Sequence, residues 1–285
     1  MRKLVPGVAP GETMEDVVTA PFDYSMLDAP GNLTRIRLNS TVVDLRHRDG
    51  ALDADVDLTY VNGGNARTVT AGKVVWAGYH FMLPHVCPDV PAEQVDALGA
   101  SVRAPLVYTN VLIRNWESLA ELGVQRVFCP GSFFQTIMFT HAVSYGDYRF
   151  STSPDEPVIL HLGHIPLEPG LPAADQFRAG QRKLLATPFE TFERNVREQL
   201  GRILGPGGFE PARDIQGITV NRWPHGYAYG YNPLFDPDYP PGEAPHEIGR
   251  TRFGNIAIAN SDAGARAYLD EAINQAHRAV GELLG

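Results

Sequence analysis

The sequence predicts a mixed α/β (α+β) fold, and three observations support this prediction. Residues 34–77 alternate apolar and polar side chains, as half-buried strands do. Residues 176–204 and 270–284 instead carry apolar residues at steps of three and four, as amphipathic helices do. With 285 residues, 44% hydrophobic and 20% charged, the chain can bury a large core in one domain or in two intertwined domains.

Charge and cysteine content exclude several classes of function. The net charge is −9, no block of basic residues occurs, and lysine stands only at positions 3, 73 and 183, so a nucleic-acid partner is not expected. No apolar run reaches the roughly 18 residues of a membrane span. Cys87 and Cys129 form neither a metal motif nor a disulfide framework. The cellular location stays unknown, with the cytoplasm and the periplasm both open.

The N-terminal third predicts loops followed by a β meander. Residues 1–33 are rich in proline and glycine and predict loop with at most a short helix. Strands are predicted at 35–45, 53–60, 66–71 and 73–78, the last a continuous apolar strand of the buried kind. Between the second and third, Asn62-Gly63-Gly64-Asn65 predicts a tight hairpin turn, because these residues tolerate positive φ.

The middle of the chain predicts an antiparallel sheet and a long helical region. Residues 106–115 and 133–144 are expected to be neighbouring strands, with another strand at 158–165. In the helical region Pro188 marks a start or a kink, and the glycines of 205–208 end it. One helix face is predicted to carry Phe189, Phe192, Val196, Leu200 and Ile203.

The C-terminal segment predicts a strand, a turn of small residues and a helix. Residues 253–259 form an apolar run, residues 260–264 are the turn, and the helix that follows has Asp270 and Glu271 near its start. The helix is predicted to carry one apolar face, with Ala272, Ile273, Ala276, Ala279, Val280, Leu283 and Leu284. Free N–H groups at its start can hold a phosphate, a carboxylate or an electron-rich ring edge. The pattern fits equally well a strand and helix that close a sheet without any ligand.

Aromatic residues are concentrated between Trp223 and Tyr231, within a long loop at 220–245 that contains several prolines. Aromatic faces attract cationic amines. The pattern alone favours an aromatic core patch beneath the loop.

The histidine pair His161-x-x-His164 would place its two rings on opposite faces of a strand, so no metal site is expected there.

Four segments resemble the FAD-dependent amine oxidases. Residues 267–276 and 278–280 are similar to the C-terminal flavin segment of that superfamily. Residues 252–261 resemble its strand ending in Ala-Gly-acid, although Asn260-Ser261-Asp262 stand where the acid is expected. Within the superfamily, residues 220–233 most resemble the spermidine dehydrogenase-like branch.

The resemblance implies a fold and a division into domains. The expected fold is the C-terminal part of a two-domain FAD-dependent amine oxidase fold. Residues 34–91 and 249–285 would be the remaining part of a Rossmann-like FAD domain that is incomplete. Residues 92–248 would be a substrate domain with an antiparallel sheet, helices and the aromatic loop 220–245. Residues 1–33 would be a loop-rich leading segment.

The resemblance also implies site residues. The expected cofactor-binding positions are Val42, Ala77, Asn260, Ser261, Asp262 and Leu269. The backbone of Val42 would meet the adenine, Ala77 would end the returning strand, and the acid near Asp262 would bond the ribityl chain. The expected catalytic positions are Tyr229, Tyr268, Trp223 and His225. Tyr229 and Tyr268 would form an aromatic cage at the flavin face.

The resemblance implies that the protein transfers a hydride to FAD from the carbon next to an amine nitrogen. The amine substrate would be a polyamine or a spermidine-like compound. Residues 105–116 contain no lysine where many amine oxidases have one, which favours a dehydrogenase. Some spermidine dehydrogenases also carry haem b, and His80, His85 or His225 could ligate it, although no spacing selects one.

One departure from the superfamily is large. No G-x-G-x-x-G follows a strand. The isolated chain is therefore expected to bind FAD weakly or not at all, and to need an N-terminal partner chain that carries the Rossmann half. The alternatives are a non-catalytic fragment and a small-molecule binding module that uses the aromatic loop.

Overall fold

The computed structural model describes residues 1–285 and contains ten strands and nine α-helices. The strands are β1 (Ser40–His47), β2 (Val56–Asn62), β3 (Asn65–Ala71), β4 (Val74–Trp76), β5 (Ala104–Ile113), β6 (Arg126–Phe128), β7 (Thr136–Phe139), β8 (Val158–His164), β9 (Ile215–Tyr227) and β10 (Ile256–Ile258). The helices are α1 (Met14–Thr19), α2 (Leu83–Val86), α3 (Ala92–Gly99), α4 (Glu117–Leu122), α5 (Ala173–Ala186), α6 (Phe189–Leu204), α7 (Pro211–Asp214), α8 (Pro245–Gly249) and α9 (Leu269–Leu284). None of these helices combines the length and apolarity that crossing a membrane requires.

The predicted hairpin is confirmed. Strands β1, β2 and β3 form one sheet in that order, and β2 pairs antiparallel with β3 so that Asn62 faces Asn65. Gly63 and Gly64 complete the turn with φ values of 56° and 79°, a conformation that glycine adopts without steric cost. The first strand begins at Ser40, later than the sequence pattern indicates.

Strands β4 and β10 form a two-stranded parallel sheet in which Val74 faces Ile256. All three residues of β10 are buried, whereas Val75 in β4 is 37% exposed. The prediction that residues 73–78 form a buried strand is therefore wrong for this structure, because β4 has a neighbouring strand on one edge only. The predicted strand at 253–259 is shortened to three residues, because Phe253 turns back to bridge Ile256.

The third sheet has five strands in the order β6-β7-β8-β5-β9, and β7 runs antiparallel to both β6 and β8. The predicted strands at 106–115 and 133–144 correspond to β5 and β7. The prediction that these two strands are neighbours is wrong, since β8 lies between them. The strand predicted at 158–165 is confirmed as β8. It pairs with β7 in the position beside β7 where β5 was expected.

The long helical region is two helices, α5 and α6, separated at Thr187 and Pro188 as the proline predicts. The predicted face of α6 is confirmed at Phe192, Val196 and Leu200, which are all buried. Its two ends are corrected, because Phe189 is exposed and Leu204, not Ile203, is the buried residue of the last turn.

Helix α9 buries only two of the seven residues of its predicted apolar face. Ala279 and Leu283 are buried against β10, together with the side chain of Gln275. Ile273, Ala276, Val280 and Leu284 are exposed, and Ala272 is half-buried. The expectation that the whole face is packed is therefore wrong for this structure.

The chain divides into two compact units. The first comprises Met1–Ser40, Tyr108–His164 and Phe189–Val220, and the second comprises Thr41–Val107, Ile165–Pro188 and Asn221–Gly285. These boundaries differ from the predicted domain boundaries. The residues 92–107, 165–188 and 221–248 join the unit that also holds β4, β10 and α9. The core of the second unit is built from Leu45, Val56, Leu83, Leu98, Phe253, Ile256 and Ile258.

Candidate functional site

The turn that follows β10 is shaped by Asn260, whose φ of 86° and ψ of 164° lie in a strained backbone region that is normally confined to glycine. Its Oδ1 accepts from the backbone N–H of Ser261 and, at 2.9 Å, from the Ser261 hydroxyl. Its Nδ2 donates to the carbonyl of Gly78 at 3.2 Å. Asn260 and Ser261 therefore fix the turn between the ends of β10 and β4 in the second unit.

Asp262, which follows in the same turn, is buried and engaged with other residues of the second unit. Its Oδ1 forms an ion pair with the guanidinium of Arg103, which is also buried. Its Oδ2 accepts the backbone N–H of His80 at 3.2 Å. The acid that the resemblance assigns to a ribityl chain is thus part of an internal network.

Arg103 connects that network to β9. Its guanidinium donates to the carbonyls of His225 and Gly226 at 3.2 and 2.7 Å, and it lies 4.7 Å from the ring centroid of Tyr79. One side chain thereby joins residues just before β5, at the end of β9 and after β10. No sequence signal predicts this role, since an arginine before an apolar strand is not a distinctive pattern.

His80 is fully buried beside Asp262. Its Nε2 lies 3.3 Å from the carbonyl oxygen of Ala259, and its Nδ1 has no hydrogen-bond partner. Burial lowers the pKa of His80, although Asp262 opposes this effect. The imidazole is therefore neutral at physiological pH.

His225 lies in an aromatic group with Tyr79 and Phe81, at centroid distances of 5.9 and 4.9 Å. Burial, and then the charge of Arg103, lower the pKa of His225. Its Nδ1 has no hydrogen-bond partner. His225 lines a cavity of about 180 Å³ together with Arg178. A neutral imidazole at this position can accept or donate one hydrogen bond to a ligand.

Tyr229 lines a second cavity of about 130 Å³ in the same unit. Its hydroxyl donates to the carboxylate of Asp236, at 2.7 Å from Oδ1 and 2.9 Å from Oδ2. The rings of Tyr231 and Tyr239 also line this cavity, and the Tyr229 and Tyr231 ring centroids are 5.8 Å apart. Burial, followed by the bond to Asp236, raises the pKa of Tyr229, so the phenol keeps its proton.

The charge of this cavity, which we call the tyrosine cavity, is negative. The Asp236 carboxylate accepts the single hydroxyl proton of Tyr229 and, at 2.7 Å, the backbone N–H of Asn232, but no lysine or arginine pairs with it. The nearby His246 has its pKa lowered, chiefly by burial, and its Nδ1 lies 3.2 Å from the Tyr231 hydroxyl. Asp262 also lines the cavity, but Arg103 balances its charge. A cavity with a carboxylate and three aromatic rings suits a small cation.

The start of α9 is accessible. No side chain caps it, and Tyr268 and Leu269 are both exposed. The guanidinium of Arg266 lies 5.3 Å from the Tyr268 ring centroid, and no ring contact joins Tyr268 to Tyr229. The two tyrosines predicted to form a cage are therefore not paired in this structure. The ring of Tyr231 instead contacts Tyr229 on one side and Tyr239 on the other, and the sequence interpretation left both Tyr231 and Tyr239 out of the site.

The remaining predicted positions are spread over the second unit. Trp223 is half exposed on β9, Val42 is half-buried on β1, and Ala77 is exposed directly after β4. Of the predicted site residues, Tyr229 and Asp262 both line the tyrosine cavity, whereas His225 lines the cavity of about 180 Å³.

The histidine pair of β8 has partners within the first unit. His161 Nδ1 lies 2.9 Å from Asn110 Oδ1. His164 Nδ1 lies 2.5 Å from the carbonyl oxygen of Phe133, on whose ring it stacks at 4.2 Å. No group of three or more His, Cys, Asp or Glu side chains in the chain is arranged to hold a metal ion.

Comparison with solved structures identifies the fold. A triple mutant of putrescine oxidase, made for a redesign of cofactor binding, matches 86% of this chain and 48% of its own, with a TM-score of 0.57 and 14% identity. Wild-type putrescine oxidase bound to putrescine gives the same coverage and identity with a TM-score of 0.54. Cyclohexylamine oxidase from Brevibacterium oxydans matches 85% of this chain and 47% of its own, with a TM-score of 0.52 and 15% identity.

The chain spans about half the length of these oxidases. No protein-family profile matches it, and no curated protein matches it either. At identities of 14–15% the comparison establishes the fold alone. The predicted fold class is confirmed: the chain has a mixed helix-and-sheet fold that matches about half of an amine oxidase.

Proposed function

We propose that the chain forms the amine-binding part and one side of the flavin site of an FAD-dependent oxidoreductase that acts on polyamines. The observation that carries this proposal is the tyrosine cavity, in which Asp236 lacks a cationic partner and tyrosine rings form the wall. The likeness in fold to putrescine oxidase and cyclohexylamine oxidase supports the reaction class.

The charge of the tyrosine cavity favours a substrate with more than one nitrogen. A hydride leaves the carbon next to a nitrogen only when that nitrogen has a free lone pair, so the reacting amine must be neutral. Asp236 instead stabilises an ammonium group, since opposite charges at close range favour the charged form. The nitrogen held at Asp236 is therefore a second, non-reacting nitrogen. A diamine or a polyamine supplies both groups.

The residues at the start of α9 fit one part of FAD. Uncapped N–H groups at the amino end of a long helix can stabilise negative charge on a flavin ring edge, and Tyr268 and Leu269 lie exposed beside them. Val42, Ala77, Asn260 and Ser261 remain the proposed positions for the rest of the cofactor, whereas the buried carboxylate of Asp262 is already engaged by Arg103 and by the N–H of His80. Bound FAD would supply the hydride acceptor. Haem b stays a prediction of the resemblance and is not part of this proposal.

A partner lobe is proposed from the unpaired edge of β4. Parallel sheets are normally covered on both faces and built from several strands, yet β4 and β10 stand as a pair and Val75 is exposed. The apolar sequence of β4 is typical of a central strand. An additional parallel strand beside β4, contributed by a nucleotide-binding lobe, would form hydrogen bonds with the unpaired backbone edge. The lobe would also bury the apolar side chains of β4.

Helix α9 presents a second unpartnered surface. Leu269, Ile273, Val280 and Leu284 are 77%, 59%, 47% and 75% exposed and lie along one side of the helix. Burial of apolar surface contributes about 25 cal/mol per Å², so covering this stripe would stabilise an association. Such a lobe would also bring the phosphate-binding loop that this sequence does not contain.

The amine site is tested by calorimetric titration of the purified chain with 1,4-diaminobutane and with butylamine. We expect the diamine to bind, and Asp236→Asn to weaken its binding about tenfold or more, because a charge-assisted hydrogen bond is lost. The matched control is Asp238→Asn, two residues away on the exposed part of the loop, which should leave the affinity unchanged. Equal affinities of the wild type and Asp236→Asn for the diamine would contradict the proposal.

The flavin site is tested by absorbance between roughly 350 and 500 nm, with FAD added to the chain alone and to the chain co-expressed with an amine oxidase Rossmann lobe. We expect a bound flavin spectrum only with the lobe, and its loss in an Ile273→Ser, Val280→Ser variant. The control Asn274→Ser changes an exposed residue on another side of α9. Stoichiometric flavin on the isolated chain refutes the need for a partner, and amine binding without flavin under all conditions indicates a binding module.

A further inference from the structure

A third cavity, in the first unit, has the size of a ligand site. It lies between α4 and the strands β6, β7 and β8, and its volume is about 750 Å³. Cavities that bind small molecules typically span about 300–1,000 Å³. All of its lining residues lie between Trp116 and Val158, so this groove is separate in sequence from every residue assigned above to the amine and flavin sites.

Aromatic side chains form a fixed wall of the groove. The rings of Trp116 and Phe139 meet edge to face at a centroid distance of 5.8 Å. The indole Nε1 donates to the hydroxyl of Ser151 at 2.8 Å, and that hydroxyl donates to the carbonyl of Ser153 at 3.2 Å. Because these bonds hold the indole in place before a ligand arrives, a planar ring that packs against it loses less affinity to side-chain ordering.

The charge lining the groove is positive, in contrast to the tyrosine cavity. No Asp or Glu lines it, whereas Arg126 does, in a chain whose net charge is −9. The Arg126 guanidinium packs 5.1 Å from the Phe128 ring centroid and donates to Met138 Sδ at 3.5 Å, and no carboxylate pairs with it. A guanidinium with unused donors is a preferred partner of carboxylate and sulfonate groups.

We propose that this groove binds a planar aromatic anion. The ring system packs against Trp116 and Phe139, and its acidic group accepts hydrogen bonds from Arg126. The volume exceeds that of one benzene ring several-fold, so fused rings fit. The site does not depend on FAD or on the amine site.

The test is calorimetric titration of the full chain with 2-naphthoate and with 2-naphthylmethylammonium, a pair that differs mainly in the sign of the charge. We expect saturable one-to-one binding of naphthoate and at least roughly tenfold weaker binding of the ammonium compound. Arg126→Gln should weaken naphthoate binding about fivefold or more, and Phe139→Leu should weaken it as well. The matched controls Arg202→Gln, an exposed arginine of the same unit, and Asp236→Asn should leave it unchanged.

Three results would overturn the proposal: absence of saturable naphthoate binding, equal affinity for the two probes, or an Arg126→Gln variant that binds like the wild type. Arg126 is exposed, so its substitution leaves the fold intact, which circular dichroism verifies. If Phe139→Leu unfolds, the Arg126 variant and the probe pair still decide the outcome.

Discussion

Replacing Arg103 with methionine should destabilise the second unit more than any surface substitution. Methionine keeps most of the length of the side chain and removes its charge. The carboxylate of Asp262, which is fully buried, would then keep only the N–H of His80 as a hydrogen-bond donor. The carbonyls of His225 and Gly226 would each lose a donor as well.

The expected magnitude follows from these losses. Removing one partner of a buried ion pair costs about 3–5 kcal/mol, because the other charge stays buried without compensation. The unpaired carbonyls add about 1 kcal/mol each where water does not reach them. We therefore expect a loss of about 4 kcal/mol or more. For a domain of this size that loss lowers the unfolding midpoint by roughly 8–16 °C.

The assay is urea and thermal unfolding followed by tryptophan fluorescence in a Trp116→Phe background, so that only Trp76 and Trp223, both in the second unit, report. Arg178→Met is the control, since Arg178 is exposed and pairs with the exposed Asp175, and its loss should cost less than about 1 kcal/mol.

A double-mutant cycle identifies the cause. Asp262→Asn alone should also destabilise, because it leaves the Arg103 charge buried. The double variant, Arg103→Met with Asp262→Asn, contains no isolated buried charge and should be more stable than the sum of the single effects indicates, by about 2 kcal/mol. A loss below about 1 kcal/mol for Arg103→Met, or strict additivity of the two changes, would refute the account of a charge-compensated network.

Three further predictions concern packing, pH and thiol reactivity. Gly180→Ala should destabilise strongly, because a Cβ at that position would lie 1.9 Å from the carbonyl oxygen of Pro166, whereas Gly281→Ala in α9 meets no atom and should stabilise by up to about 1 kcal/mol in thermal unfolding. Hydrogen bonds and ion pairs, the largest from Arg213 and others from the Glu210 N–H and Arg114, lower the pKa of Asp214 from 3.8 to about 2. Their stabilisation, about 2 kcal/mol, is therefore present above about pH 4 and is lost as pH falls toward 2, and Asp214→Asn should flatten the thermal midpoint across that window. Burial raises the pKa of Cys87 to about 11, so at pH 8 a thiol reagent should modify one cysteine per folded chain, Cys129, and both only after unfolding.

Local features of the fold were predictable from the sequence because neighbouring residues determine them. The Asn62–Asn65 turn depends on backbone conformations that its own residues permit, and the break before α6 depends on Pro188. The order of strands in the five-stranded sheet was not predictable in this way. Nothing local in β5, β7 or β8 shows that the last strand in sequence lies between the other two.

The candidate site was predictable only in part. Tyr229 stood out because aromatic residues cluster around it in the sequence. Asp236 did not stand out, since an aspartate in a proline-rich loop is ordinary. Its proposed role in amine binding depends on the fact that no cationic side chain pairs with it in the folded protein. The ion pair of Arg103 with Asp262 joins residues 159 positions apart, and no sequence period reveals such a contact. The exposure of one side of α9 was equally hidden, since hydrophobicity does not tell which half of an apolar face is covered.

The unpaired edge of β4 has a consequence for the handling of this protein. A strand that displays both apolar side chains and unused backbone donors is a template on which other copies can add. Concentrated solutions of the chain by itself should therefore form aggregates through strand pairing. The substitution Val75→Lys should reduce this aggregation, because a charged side chain on an edge strand opposes pairing with another copy.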